Sequence, residues 1–68
     1  MRYVTFGQSH RHIINGKVFD HHCIAVVDGD REKVFEIFGR KWCFEYSEDE
    51  FDDFVEMSYY PRGLILVG

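Results

Sequence analysis

Sixty-eight residues with a single Pro, 46% of them hydrophobic, predict one small globular domain and exclude a disordered chain. No apolar run reaches the ~18 residues that span a bilayer, and residues 1–7 hold one base with no long apolar stretch after them. Neither a membrane protein nor a secretory leader is expected, and the expected location is the cytoplasm. The net charge of −4 is unevenly spread: residues 1–27 set three bases against one acid, residues 28–44 balance four against four, and residues 45–68 carry seven acids against Arg62 alone. With no dense basic patch along the chain to displace counterions from phosphates, direct nucleic-acid binding is not expected.

A chain this short buries only about 60% of the surface its unfolded form exposes. The core must come from a few large side chains, and seven Phe, four Tyr and one Trp suit that task. Residues 3–6 read as a short strand of aromatic and β-branched residues, broken at Gly7-Gln8-Ser9. Residues 10–14 and 17–19 flank Asn15-Gly16, the strongest short signal for a hairpin turn. Asp20 to His22 continue that hairpin or bulge from it. Cys23-Ile24-Ala25-Val26-Val27 is apolar on both alternating faces, which predicts a central strand covered on both sides.

Asp30 is then a good N-cap, Val34, Ile37 and Phe38 fall on one helical face, and Gly39 suits the position just past the C-terminus. Trp42, Phe44 and Tyr46 alternate as one face of a further strand. Ser47 and Glu50 form a capping box for a second helix with an apolar stripe of Phe51, Phe54 and Val55. Residues 57–62 read as a loop and residues 64–67 as a last strand. The expected fold is α+β: a small, mainly antiparallel sheet of four or five strands, with an N-terminal hairpin and one or two short helices packed on one face. Such an open sheet has two edges, and pairing of an edge with a second copy makes a homodimer an expectation. Cys23 and Cys43, each inside an apolar run, are expected as buried reduced thiols, with a disulfide between neighbouring strands as the alternative.

Two constellations carry chemistry. The first is Gln8-Ser9-His10-Arg11-His12, which offers an amide, a hydroxyl, imidazoles and a guanidinium within five residues. Arg suits bidentate phosphate recognition. With Arg62 as a further cation and Tyr60 (or Tyr3 or Tyr59) to stack on a base, these residues form a candidate site for a phosphorylated small molecule. No GxxxxGK[ST] or GxGxxG fingerprint accompanies them. His10 and His12, two apart on a strand, share a face, and Asp20, His21, His22 and Cys23 follow the turn, so a histidine-liganded metal protein, catalytic or not, is the alternative. The plain alternative to both is a solvated hairpin.

The second constellation is Asp49, Asp52, Asp53 and Glu56, one stripe of the second helix at i, i+3, i+4, i+7. Like charges at i, i+4 cost roughly 0.2–0.5 kcal/mol each. The stripe is either a solvated face or a surface that docks on a basic host protein. An enzyme is not expected: Ser9 and His10 are adjacent and point to opposite strand faces, and the single His-Arg-His lacks the second HxT or HxS element of a two-histidine phosphoesterase. No cofactor is expected.

The strings Arg2-Tyr3-Val4-Thr5-Phe6-Gly7-Gln8, His10-x-His12, Asn15-Gly16-Lys17 and Phe19-Asp20 resemble small bacteriophage proteins of unassigned function. Phe44-Glu45-Tyr46 and Tyr60-Pro61-Arg62-Gly63 are similar too, so the resemblance covers most of the chain. It implies expression in an infected bacterial cytoplasm, as an accessory protein that binds a host protein or a defence signalling molecule stoichiometrically.

Overall fold

The apolar run at residues 23–27 organises everything around it. In the computed structural model, which describes residues 1–54 and 60–67, Cys23, Ile24, Ala25, Val26 and Val27 are all buried. A strand buries five successive side chains only when both of its faces are covered. β1 (Arg2–Thr5) pairs with β4 (Cys23–Val27) antiparallel, with Val4 opposite Ala25, and β6 (Gly63–Leu66) pairs with its other edge in parallel. β5 (Phe44–Tyr46) adds to β1 antiparallel, which gives the order β5-β1-β4-β6.

The hairpin of β2 (His12–Ile14) and β3 (Lys17–Phe19) turns at Asn15 (φ 52°) and Gly16 (φ 78°), the left-handed pair that Asn-Gly supplies. It stands as its own two-stranded sheet and lies over one face of the larger one, beside α1 (Arg31–Phe38). Phe19 from the hairpin and Val34 and Phe38 from α1 close on Val4, Phe6, Cys23, Ala25 and Val27. Phe38 meets Phe6 edge-on at 5.0 Å and Phe19 at 5.7 Å between centroids. Asp30 caps α1 by accepting from the Lys33 N–H, and Gly39 ends it at φ 64°.

α2 (Glu48–Phe54) opens on the capping box: Ser47 Oγ accepts from the Glu50 N–H, and Glu50 accepts from the Ser47 N–H. Its Phe51 stacks on Tyr3 at 4.1 Å. Tyr3 points away from the face that Val4 and Phe6 occupy, so α2 covers the opposite face. On that face the strand register lines up two rows: Tyr46, Tyr3, Val26 and Leu66, then Phe44, Thr5, Ile24 and Leu64.

The α+β class stands as the sequence predicts, with three corrections. The larger sheet is mixed, because β6 joins β4 in parallel. The hairpin packs on the sheet and adds no strand to it. The helices lie on opposite faces, because β4 needs cover on both. Trp42 also leaves the predicted alternation: its indole N–H donates to the Gly39 carbonyl and its ring packs against the α1-side core, while Phe44 is exposed. Val55, Glu56, Met57 and Tyr59 fall outside the described residues.

Two substitutions grade these contacts. Phe38→Ala, at the meeting point of three rings, should cost about 3–5 kcal/mol and leave so small a domain largely unfolded. Ser47→Ala should cost about 1 kcal/mol by removing one cap. Urea denaturation followed by circular dichroism separates the two.

Candidate functional site: the loop end of the sheet

Strand direction decides which loops meet. β1 runs towards Thr5, β4 starts opposite it, β5 starts at Phe44 beside Thr5, and β6 starts at Gly63 beside Cys23. The segments leaving β1 and entering β4, β5 and β6 therefore share one end of the sheet. Hydrogen bonds tie them together: the Cys43 N–H donates to the Thr5 carbonyl at 2.8 Å, and the Arg62 N–H donates to the His22 carbonyl at 2.9 Å.

This end carries Arg11, Arg40, Lys41 and Arg62 against Asp20, together with His10, His12, His21 and His22. At the other end lie Asp28, Asp30, Glu32, Glu48, Asp49 and Glu50, together with the N-terminus, Arg2, Arg31, Lys17, which reaches the Leu66 carbonyl, and Lys33, which lies against Gly29. There the N-terminal amine sits 3.6 Å from Glu48, and Arg2 sits 3.3 Å from Glu45. The polarity that the sequence halves suggest is thus kept only in part: the loop end is basic, and the far end carries both signs. Arg2 lies at the far end, and Arg40 and Lys41, from the balanced middle third, join the basic one.

Within the basic end a concavity of about 310 Å³ is lined by Thr5, Gly7, Gln8, His21, Cys43, Phe44 and Tyr60. Gly7 (φ 62°) allows the close approach of Cys43, since a Cβ there would stand 3.1 Å from Cys43 Sγ. Burial, followed by the neighbouring Tyr46 and Cys43, raises the Tyr60 phenol above its ordinary 10.0. Tyr60 therefore keeps its O–H as a donor at neutral pH.

Beside the concavity, Asp20 Oδ1 accepts from the His22 N–H at 2.9 Å, with Arg62 Nη1 at 3.5 Å and His22 Nδ1 at 3.6 Å. The His22 N–H does most to hold the Asp20 carboxyl below its ordinary 3.8, against burial and with help from the His22 ring and Arg62. The rings of His21 and His22 lie 3.8 Å apart.

Of the residues predicted to bind a ligand, Gln8 and Tyr60 line this concavity. Ser9 and Arg11 are exposed and His10 half-buried in the same loop. Arg62 is at the same end but spends one edge on Asp20, which leaves the rest of its five N–H donors. His12 is a packing residue: Nε2 donates to the Lys41 carbonyl at 2.6 Å, and the ring lies 4.9 Å from Phe38 and 5.7 Å from Phe6. It does not share an open face with His10.

Among the described residues no three His, Cys, Asp or Glu side chains converge on a metal-sized site. No helix among them is long and apolar enough to cross a membrane. In the acidic stripe, Asp49 is exposed in α2 and Asp52 and Asp53 lie on the same helix, while Glu56 is outside the described residues.

Cys23 is buried and Cys43 exposed, both as free thiols, which corrects the expectation of two buried ones. Sequence reasoning missed His21 and Cys43 as lining residues. The signal that locates them is strand direction, because an antiparallel β1–β4 pair puts the segments before Cys23 and after Thr5 together. Comparison with known protein families, with characterised proteins and with solved structures finds no match.

Two outcomes follow from this geometry. A thiol reagent should modify Cys43 rapidly in the native protein and reach Cys23, whose burial raises its thiol above 9.0, only on unfolding. Asp20 contributes stability only while charged, so its contribution is present above 3.8 and is lost as pH falls through its depressed value. Asp20→Asn should therefore cost about 0.5–1 kcal/mol near neutral pH, since solvent still screens the pair, and progressively less as pH falls through the depressed Asp20 value.

Proposed function

We propose that the protein is a non-enzymatic binder of a phosphorylated small molecule of the nucleotide class, held at the basic end of the sheet. The observation that carries this reading is the meeting of Gln8 and Tyr60, from opposite ends of the chain, in one concavity with His21. Tyr60 and Phe44 supply aromatic surface for a base, and the Gln8 amide can both donate and accept at its edge. Arg11, Arg40, Lys41 and the free edge of Arg62 supply charge for a phosphate at the same end.

Binding, and not turnover, fits the chemistry of these residues. Cys23 is sequestered, and among the described residues no hydrogen bond joins an imidazole to Ser9 or to the exposed Cys43 thiol that lines the concavity with His21. The resemblance to small phage proteins points the same way: an accessory protein of the infected cytoplasm that sequesters a defence signalling nucleotide by stoichiometric capture. A role as inhibitor of a basic host protein through Asp49, Asp52 and Asp53 has less behind it, because Glu48 and Glu50 beside them are already engaged with the N-terminus and the Ser47 cap.

A thermal-shift series with mononucleotides and cyclic nucleotides tests the proposal. A ligand at 100 times its Kd adds about 2.7 kcal/mol to stability, a rise of several degrees for a domain of this size. The same ligand should slow modification of Cys43. The double variant Gln8→Ala/His21→Ala should lose ten-fold or more in affinity, on the order of 1 kcal/mol for each lost hydrogen bond. Equal stabilisation of wild type and double variant, or none by any phosphorylated nucleoside, contradicts the proposal.

A further inference from the structure

Asn15 is the one asparagine in the chain, and a glycine follows it at an exposed hairpin tip. Gly16 brings no side chain to shield its amide nitrogen, and a Cβ there would meet nothing within 4 Å. The hairpin ladder closes at Ile14 and Lys17, so the Gly16 N–H has no place in it. Among the described residues no hydrogen bond claims that N–H. Both the Asn15 amide and the Gly16 nitrogen are therefore solvated, and only backbone conformation keeps them apart. At φ 52° Asn15 is left-handed, which turns the Gly16 nitrogen to the far side of Cα from the Asn15 side chain. Bringing the two together needs rotation about the Asn15 Cα–C bond, and that rotation opens the two-residue turn.

We propose that Asn15-Gly16 is a self-modification site, which loses the Asn15 amide through a succinimide when the hairpin tip opens, and that Lys17 keeps the tip closed. The Gly16 nitrogen gives its proton to hydroxide and attacks the Asn15 side-chain carbonyl carbon. A carbon–nitrogen bond forms, the bond to the side-chain nitrogen breaks, and that nitrogen takes a proton from water and leaves as ammonia. Water then adds at either ring carbonyl and the adjoining ring bond breaks. The product is an aspartyl or an isoaspartyl residue at position 15, and no oxidant or cofactor is consumed.

The restraint on this reaction is a long-range contact. Lys17 Nζ donates to the Leu66 carbonyl at 3.1 Å and so ties the tip to β6. Ile13, Asn15, Gly16 and Lys17 are all exposed, and Ile14 packs against the core. The tip has little else to hold it, whereas His12 and Phe19 anchor the other end of the hairpin in the layer of rings. The two products differ in consequence. Asp-Gly supports the same turn, so the aspartyl form keeps the hairpin. The isoaspartyl form runs the main chain through the side chain and adds a carbon to the loop, which no longer matches the Ile13–Val18 register.

This inference does not depend on the nucleotide reading. The full chain held in mildly alkaline buffer tests it, with intact mass followed in time and the altered residue located by fragmentation. Native wild type should gain the mass difference between an amide and an acid at Asn15, more slowly than the same chain unfolded in guanidinium chloride. Native Lys17→Gln, with unchanged circular dichroism, should react about two- to five-fold faster than native wild type, the worth of one net hydrogen bond. Lys17→Arg, which still reaches the Leu66 carbonyl, should keep the wild-type rate, and all three chains should react alike when unfolded. Asn15→Gly should gain no mass, and the isolated isoaspartyl form should melt below the unmodified protein. A native wild type that reacts as fast as the unfolded chain, or not at all while the unfolded chain reacts to completion, overturns the inference. So does a native Lys17→Gln that reacts at the wild-type rate, or a mass gain in Asn15→Gly, which leaves only Gln8 to lose an amide.

Discussion

Burying five consecutive side chains in a 68-residue chain is the constraint from which the rest of the fold follows. Residues 23–27 offer nothing polar to water on either face, so β4 must be paired along both edges and covered above and below. Few residues remain to do this. The hairpin and α1 share one face, and Phe51 of α2 reaches the other by stacking on Tyr3. The aromatic richness of the composition is explained here, because Phe6, Phe19 and Phe38 fill with three rings a layer that a larger domain would fill with many aliphatic side chains.

The candidate site is positioned by that same constraint. With β4 central and β1 antiparallel to it, the segments before Cys23 and after Thr5 come to one end, and the parallel β6 brings Tyr60 and Arg62 to join them. Side chains at that end divide into two groups. His12 and Trp42 close the layer of rings, with their polar atoms satisfied by the carbonyls of Lys41 and Gly39. Gln8, His21, Cys43 and Tyr60 are left around an open concavity. At the other end the loops after β4 and β5 need N-caps, and acids supply them: Asp30 caps α1, and Ser47 with Glu50 caps α2.

What the sequence discloses and what it withholds follow the range of the forces involved. Asn15-Gly16, the Asp30 and Gly39 caps and the Ser47–Glu50 box are local chemistry, and each is found where its residues predict. The two-sided burial of residues 23–27 is legible because it leaves no alternation. The parallel pairing of β6 has no local signal, since Leu64 to Val67 would be apolar in either direction. His12 reads as a ligand only until its ring is placed between Phe6 and Phe38. Cys43 reads as buried from its apolar neighbours, yet Trp42 breaks the alternation by turning its indole to Gly39, and the thiol faces out beside Gly7. The candidate site is legible as residue types in the first loop and at Tyr60 and Arg62. Its geometry is not, because it depends on strand order.

The central claim is that folding gathers Gln8, His21, Cys43 and Tyr60 around one concavity, with the bases Arg11, Arg40, Lys41 and Arg62 at the same end of the sheet. Mapping amide chemical shifts in ¹⁵N-labelled protein during titration with a nucleoside triphosphate tests it most directly. The account predicts saturable shifts confined to Gly7, Gln8, His21, His22, Cys43, Tyr60 and Arg62, with residues 28–30 and 47–49 unmoved. Shifts centred on the far end, or scattered weakly over the whole surface, would contradict it.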